Sequence, residues 1–258
     1  MPRTRAQTLT VVQDTASCWI VRHGERADVA EPSWALTAAR PHDPPLTSLG
    51  MQQAAATAEG LKGQRVDIVY TSPFLRCVQT AQVIADALGV PLRIEPGLCE
   101  WLNADWYGEG STPMDAAMGD SVLKGLVGHR LDMSYVPLWD TPDRSTSSMP
   151  ANYRRVSFPE TSEVAVERYE STLVHLREAS PYCALVTHGY GVWSMAEWLL
   201  GRTVTEDCGY CCLTNARRGR NERGDEGWRC EVLAEESHLD ALDVSAVAPL
   251  GVGSAGQS

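Results

Sequence analysis

With 258 residues, 43% of them apolar and 21% charged, the chain has ordinary globular composition and the length for one domain with an insertion or for two. Its 22 Lys and Arg against 33 Asp and Glu give a net charge of −11, so the surface as a whole repels nucleic acid and anionic lipid, and any anion site must be a local positive spot. No apolar stretch approaches the roughly 20 residues that span a membrane, and the start, MPRTRAQTLTVVQD, lacks an apolar signal core, so the expectation is a cytoplasmic protein with its eight cysteines reduced.

Residues 1–16 read as a mobile terminus. A strand over 17–21 runs into VRHGERADV, which sets His23 between Arg22 and Arg26. Guanidinium neighbours disfavour the imidazolium form, so a neutral ring nitrogen is expected in an anion-attracting pocket. Arginines repel metal cations, which favours a nucleophile over a metal ligand. Thr47 can cap a helix reaching residue 61, with Gly63 just beyond it. A strand over 67–71, a helix over 73–88 closed by Gly89, and a strand over 92–95 follow.

Residues 103–160, which contain TPDRSTSSMP, break this rhythm and read as an insertion that lids the site or carries substrate contacts. The rhythm returns with a helix over 162–179, a strand over 183–187 and a helix ending near residue 200. Strands over 209–214 and 228–234 flank the charged turn NARRGRNERGDEG, and residues 244–258 read as a mobile tail. The pattern predicts a single α/β domain over 17–243, a three-layer sandwich with a mostly parallel central sheet and helices on both faces.

Ligand sites in such sheets lie at the carboxyl ends of the strands. The first strand ends in Arg22, His23 and Arg26; the second at Ser72, with Arg76 one helical turn on; the third leads to Glu100; the fourth ends in His188 and Gly189. This set suits phosphoryl transfer, because a phosphoryl group spreads charge over three oxygens and planar guanidinium forks match it. Arg22, Arg26, Arg76 and His188 would bind phosphate. His23 would attack phosphorus, and Glu100 would protonate the leaving oxygen and then activate water. Gly24 and Gly189 would permit close approach of the backbone. Asp105 and Glu163 are the other carboxylates that could serve as the acid.

The segments VRHGER, DPPLTSLGMQQA, YTSPFLRCVQTAQVIA, IEPGLCEW and LVTHGYGV resemble, in that order, the histidine phosphatase superfamily, also called the phosphoglycerate mutase-like fold. DPPLTSLG, SPFLRCVQTAQ, IEPGLCEW and a later YCCLT look most like the branch of the ecdysteroid-phosphate phosphatases and the suppressor-of-T-cell-signalling tyrosine phosphatases. The resemblance covers roughly residues 17–235. It implies His23 as the phosphorylated nucleophile; Arg22, Arg26, Arg76 and His188 as the phosphate pocket; and Glu100 as the proton donor. It further implies no metal or other cofactor, a phosphomonoester substrate on a protein tyrosine or a small steroid-type molecule, and a possible homodimer.

Two rivals stand beside this reading. A phosphoglycerate-type mutase would return the phosphoryl group to a substrate hydroxyl, although Arg26, Ala27 and Asp28 stand where mutases have Ser and Asn. A catalytically silent scaffold would keep the pocket only to hold a phosphoprotein. Cys208, Cys211, Cys212 and Cys230 with His238 have loose zinc spacing, but adjacent Cys211 and Cys212 in a strand would face opposite sides, which suits packing better. Trp101 and Trp106 flank the site edge and are the tryptophans expected to contact substrate.

Overall fold

The computed structural model describes residues 16–108, 130–140, 154–220 and 226–242. The expected mobile terminus, apart from Ala16, and the expected tail lie outside them, as do residues 109–129 and 141–153 of the expected insertion.

Strands β1 (Ser17–Arg22), β2 (Ile68–Thr71), β3 (Leu92–Ile94), β6 (Tyr182–Thr187), β7 (Leu213–Arg220) and β8 (Glu226–Glu235) form one sheet in the order β3-β2-β6-β1-β7-β8. The pairings β1/β6, β2/β6 and β2/β3 are parallel, whereas β7 is antiparallel to β1 and to β8. Two residues elsewhere, β4 (Trp139–Asp140), pair with β5 (Arg154–Arg155) as a short parallel ladder.

Strand alternation explains why this sheet is covered on both faces. In β1, Trp19 and Val21 join a core built with Ala58 and Leu61 of α3 (Ser48–Leu61) and Val78, Ala81 and Ile84 of α4 (Leu75–Leu88). Cys18 and Ile20 face the other way, into a core with Tyr169, Leu173 and Leu176 of α6 (Ser162–Ala179) and Val192 and Met195 of α7 (Gly189–Leu200). The expected three-layer sandwich is therefore the fold. Short helices α1 (Ala27–Ala30), α2 (Trp34–Thr37) and α5 (Ala104–Tyr107) fill the loops at the carboxyl edge.

Local chemistry sets the boundaries. The Thr47 hydroxyl accepts from Gly50 N at 2.9 Å, and Gly89 closes α4 at φ 73°. Helix α4 begins at Leu75 rather than residue 73, because Phe74 is extended and Leu75 N donates instead to Asp43 Oδ1 at 2.7 Å. The hairpin departs further from expectation: 209–212 is loop, and residues 215–220 of the supposed charged turn continue strand β7 while 226–227 open β8. Arg217 finds a partner across the ladder in Glu231 at 3.3 Å, so polarity here marked an exposed ribbon.

At the outer edge of the sheet, the buried Glu95 carboxylate accepts from Gly97 N, Tyr135 Oη, Leu138 N and Trp139 N at 2.7 to 3.1 Å. It fastens the 130–140 segment beside β3. Burial pushes its pKa up, and the four donors work against that rise. Glu95→Ala strands those donors, each costing about 1–3 kcal/mol, so urea unfolding should show a loss of at least about 3 kcal/mol.

Candidate active site

Parallel register brings the expected residues together. Arg22 pairs with Thr187 and Thr71 with Val186, while His23 N donates to Thr187 O at 3.0 Å and Ser72 N to Val186 O at 2.9 Å. Three strand ends therefore finish side by side, with His23, Ser72 and His188 at one level. Above them opens a cleft of about 520 Å³, lined at its base by Arg22, His23, Arg76, Glu100 and Gly189. Its rim consists of Arg26, Asp28, Ala35, Pro41, His42, Trp106, Tyr107 and Tyr190.

His23 is 2% exposed, and its Nδ1–H donates to Gly24 O at 2.8 Å, which leaves Nε2 as the unprotonated nitrogen. Arg76 Nε donates to that Nε2 at 3.3 Å. Burial lowers the His23 pKa well below the ordinary imidazole value; Arg76 is next, and Arg22 and Arg26 contribute less. The expectation that the two flanking arginines keep His23 neutral is thus corrected in its cause: burial comes first, then an arginine 53 residues away.

His188 is fully buried and held the same way. Arg76 Nη2 donates to its Nδ1 at 3.1 Å, so its Nε2–H faces Ser72 Oγ at 2.8 Å. Burial, then Arg76, then His23 depress its pKa well below normal. The Ser72 hydroxyl can donate as well as accept, so either tautomer, or the imidazolium that a phosphate dianion would favour, keeps a partner.

The Glu100 side chain is 12% exposed; its Oε2 lies 3.3 Å from His188 Nδ1 and 3.8 Å from Arg76 Nη2. Burial raises its pKa, with Arg76 opposing. Neither other candidate acid takes this place: Asp105 and Glu163 are exposed and outside the cleft lining.

The three arginines are not equivalent. Arg22 Nη1 donates to Cys208 O at 2.5 Å, its guanidinium lies 4.3 Å from the centre of the Tyr210 ring, and its other side abuts Gly189, where a Cβ would sit 3.3 Å from Nε. Arg22 Nε and Arg76 Nη1 are buried without a hydrogen-bond partner among the described residues. Arg26 instead gives its fork to Asp28, Nε to Oδ1 at 2.7 Å and Nη2 to Oδ2 at 2.5 Å. Although burial opposes it, that fork holds the Asp28 carboxyl below its usual range. Gly24 is required by crowding: a Cβ there would lie 2.5 Å from Gly50 O.

Trp106 lines the rim and is 54% exposed, whereas Trp101 packs beneath it at 5.2 Å and donates Nε1–H to Glu160 O. Only one of the two expected tryptophans therefore reaches the cleft. Sequence reasoning passed over His42, Tyr107, Tyr190 and Tyr210. Polar aromatics in loops give little signal until a fold gathers them, and here His42 meets Tyr107 at 5.3 Å and Tyr190 stacks on Trp101 at 4.9 Å.

The cysteine group is not arranged as expected. Cys211 precedes β7 at φ 59°, and its carbonyl accepts from His238 Nε2 at 3.1 Å. Cys208 and Cys212 belong to the core under α7. Among the described residues, no three His, Cys, Asp or Glu side chains are placed to hold a metal ion.

The cleft thus sets a buried imidazole nitrogen among three arginines at the carboxyl edge of a three-layer α/β sandwich, an arrangement suited to an anionic ligand. Residues 18–124 match the model of the histidine phosphatase superfamily, branch 1. Phosphohistidine phosphatase SixA of Escherichia coli is 39% identical over 122 residues, 46% of this chain and 67% of that protein. The chain belongs to the histidine phosphatase superfamily. Human ubiquitin-associated and SH3 domain-containing protein A is 28% identical over 240 residues, 79% of this chain; the chain spans 34% of that relative's length. Among solved structures, the Bombyx mori ecdysone phosphate phosphatase with tungstate shares the fold at a TM-score of 0.55 and 22% identity, covering 82% of this chain and 92% of that one. No helix among the described residues is long and apolar enough to cross a membrane.

Proposed function

We propose that the protein is a metal-independent phosphomonoester hydrolase working through a phosphohistidine. The observation that carries this is the pair of buried Arg22 and Arg76 N–H groups that find no partner among the described residues, in residues that line the same cleft as His23, donors that phosphoryl oxygens would satisfy. His23 Nε2 attacks phosphorus in line, and the P–O bond to the leaving group breaks while Glu100 gives that oxygen its proton. Glu100 then takes a proton from water as the water oxygen attacks phosphorus, the P–N bond breaks and inorganic phosphate leaves. Arg22, Arg76 and His188 bind the phosphoryl oxygens throughout. Arg26 joins them with the N–H groups that Asp28 does not hold.

The rim favours a flat or aromatic leaving group, such as a phosphotyrosine side chain or a steroid-type ring, because Trp106, Tyr107, Tyr190 and His42 surround it. It also weighs against the mutase reading. Among the described residues, no Lys or Arg beyond Arg22, Arg26 and Arg76 lines the cleft to receive the carboxylate of a phosphoglycerate, and Asp28 would repel one. The cytoplasmic setting rests on the sequence alone, and the homodimer on the resemblance alone. Supplied with aryl phosphates and with phosphoglycerates, the enzyme should release free phosphate from the former and move no phosphoryl group between the latter. Phosphate transfer without release would establish the mutase, and no turnover of p-nitrophenyl phosphate at any pH would establish the silent scaffold.

A further inference from the structure

Glu100 lies on no regular element of its own. It follows a single 3-10 turn, Pro96–Leu98, and precedes α5, and its own carboxylate accepts the adjacent Trp101 N–H at 3.1 Å before reaching His188 and Arg76. A long side chain on irregular backbone is placed only as well as that backbone is held. Helix α6 holds it. Arg168 Nη1 donates to Gly97 O at 2.8 Å and to Cys99 O at 3.0 Å, Arg168 Nη2 donates to Glu100 O at 3.2 Å, and Tyr169 Oη donates to Cys99 O at 2.5 Å.

The Arg168 fork is itself fixed. Glu160 accepts from Nε at 2.8 Å and from Nη2 at 2.7 Å, both partners are fully buried at the side chain, and the same carboxylate accepts from Leu102 N at 3.2 Å. Burying an ion pair is costly, and apolar residues of similar volume often pack as well, so stability alone does not account for it. A guanidinium can direct several N–H groups in a fixed plane at successive carbonyls while also pairing with a carboxylate; an ammonium cannot.

We propose that Arg168, seated on Glu160 and assisted by Tyr169, is the positioning residue that sets Glu100 for proton transfer to the leaving group. Arg168 touches no substrate and acts only through the 97–100 backbone. The proposal rests on Glu100 being the general acid, and its test separates the two ideas. An acid matters little when the leaving group departs readily as an anion and greatly when it does not. The measurement is kcat/KM for p-nitrophenyl phosphate and for a simple alkyl phosphate, in wild type, Glu100→Gln, Arg168→Lys, Tyr169→Phe and the Glu100→Gln/Arg168→Lys double variant.

Arg168→Lys, which keeps the charge and loses the fork, should cost about 10- to 100-fold on the alkyl ester and less than about threefold on p-nitrophenyl phosphate. Tyr169→Phe should shift in the same direction by a smaller factor. Added to Glu100→Gln, Arg168→Lys should produce no further discrimination between the esters. Equal losses on both esters, or none, would overturn the positioning role while leaving the acid assignment intact, provided Glu100→Gln discriminates. If Glu100→Gln itself treats both esters alike, the acid reading falls and takes the positioning role with it. Should Arg168→Lys not fold, Tyr169→Phe, which removes one hydroxyl, decides by the same criterion.

Discussion

His23→Ala is expected to lower turnover of any phosphomonoester by at least about 10⁴-fold, the scale seen when an enzyme loses its nucleophile. Among the described residues, no other group at the base of the cleft can replace it. The other imidazole at the base, His188, has Nδ1 occupied by Arg76 and Nε2 by Ser72, and Cys77 Sγ packs 3.4 Å from that Nε2 with its thiol pKa pushed far up by burial. Rapid quenching of wild type with a labelled phosphoester should trap an adduct that is stable in base and labile in acid, as a phosphorus–nitrogen bond to imidazole is. The adduct should be missing from His23→Ala. An adduct that persists in the variant, or one stable to acid and labile to base, would place the phosphoryl group on another residue and end the assignment.

Much of this site was legible because parallel strands convert a one-dimensional order into a spatial one. Strand ends in register put His23, Ser72 and His188 at a common edge, and Arg76 needed only one further helical turn. What escaped detection acts across long separations or by competition. Asp43 caps α4 from 32 residues upstream, so the helix start was misplaced by two. Asp28 lies two residues past Arg26 and holds part of its fork, a pairing that spacing alone does not announce. Arg168 is one of several charged residues on α6, and only the packing of Glu160, Gly97 and Cys99 against that position reveals it as buried. The hairpin was misread for a related reason: its arginines mark exposure, and an exposed antiparallel ribbon is satisfied by its own ladder whatever its polarity.

The pH dependence should be set by two groups displaced in opposite directions. Burial and then Arg76 lower the His23 pKa, so the nucleophile stays neutral well into acid and the rising limb of kcat/KM lies below the ordinary imidazole range. Burial raises the Glu100 pKa, so the acid keeps its proton above the range near 4.3 where an exposed glutamate loses it, and the falling limb moves up. The interval between these limbs is where an unprotonated base and a protonated acid coexist. The substrate's own phosphate ionisation overlaps it, but that ionisation is common to wild type and variant and cancels in their ratio. On phenyl phosphate, Glu100→Gln should cost about 10²- to 10⁴-fold at acid pH, where Glu100 is protonated. The ratio of wild type to variant should be flat there and then fall tenfold per pH unit once Glu100 ionises, beginning above the exposed-carboxylate range. A ratio constant across the whole pH range would mean that Glu100 neither gives nor takes a proton, and that its carboxylate serves only to hold His188 and Arg76 in place.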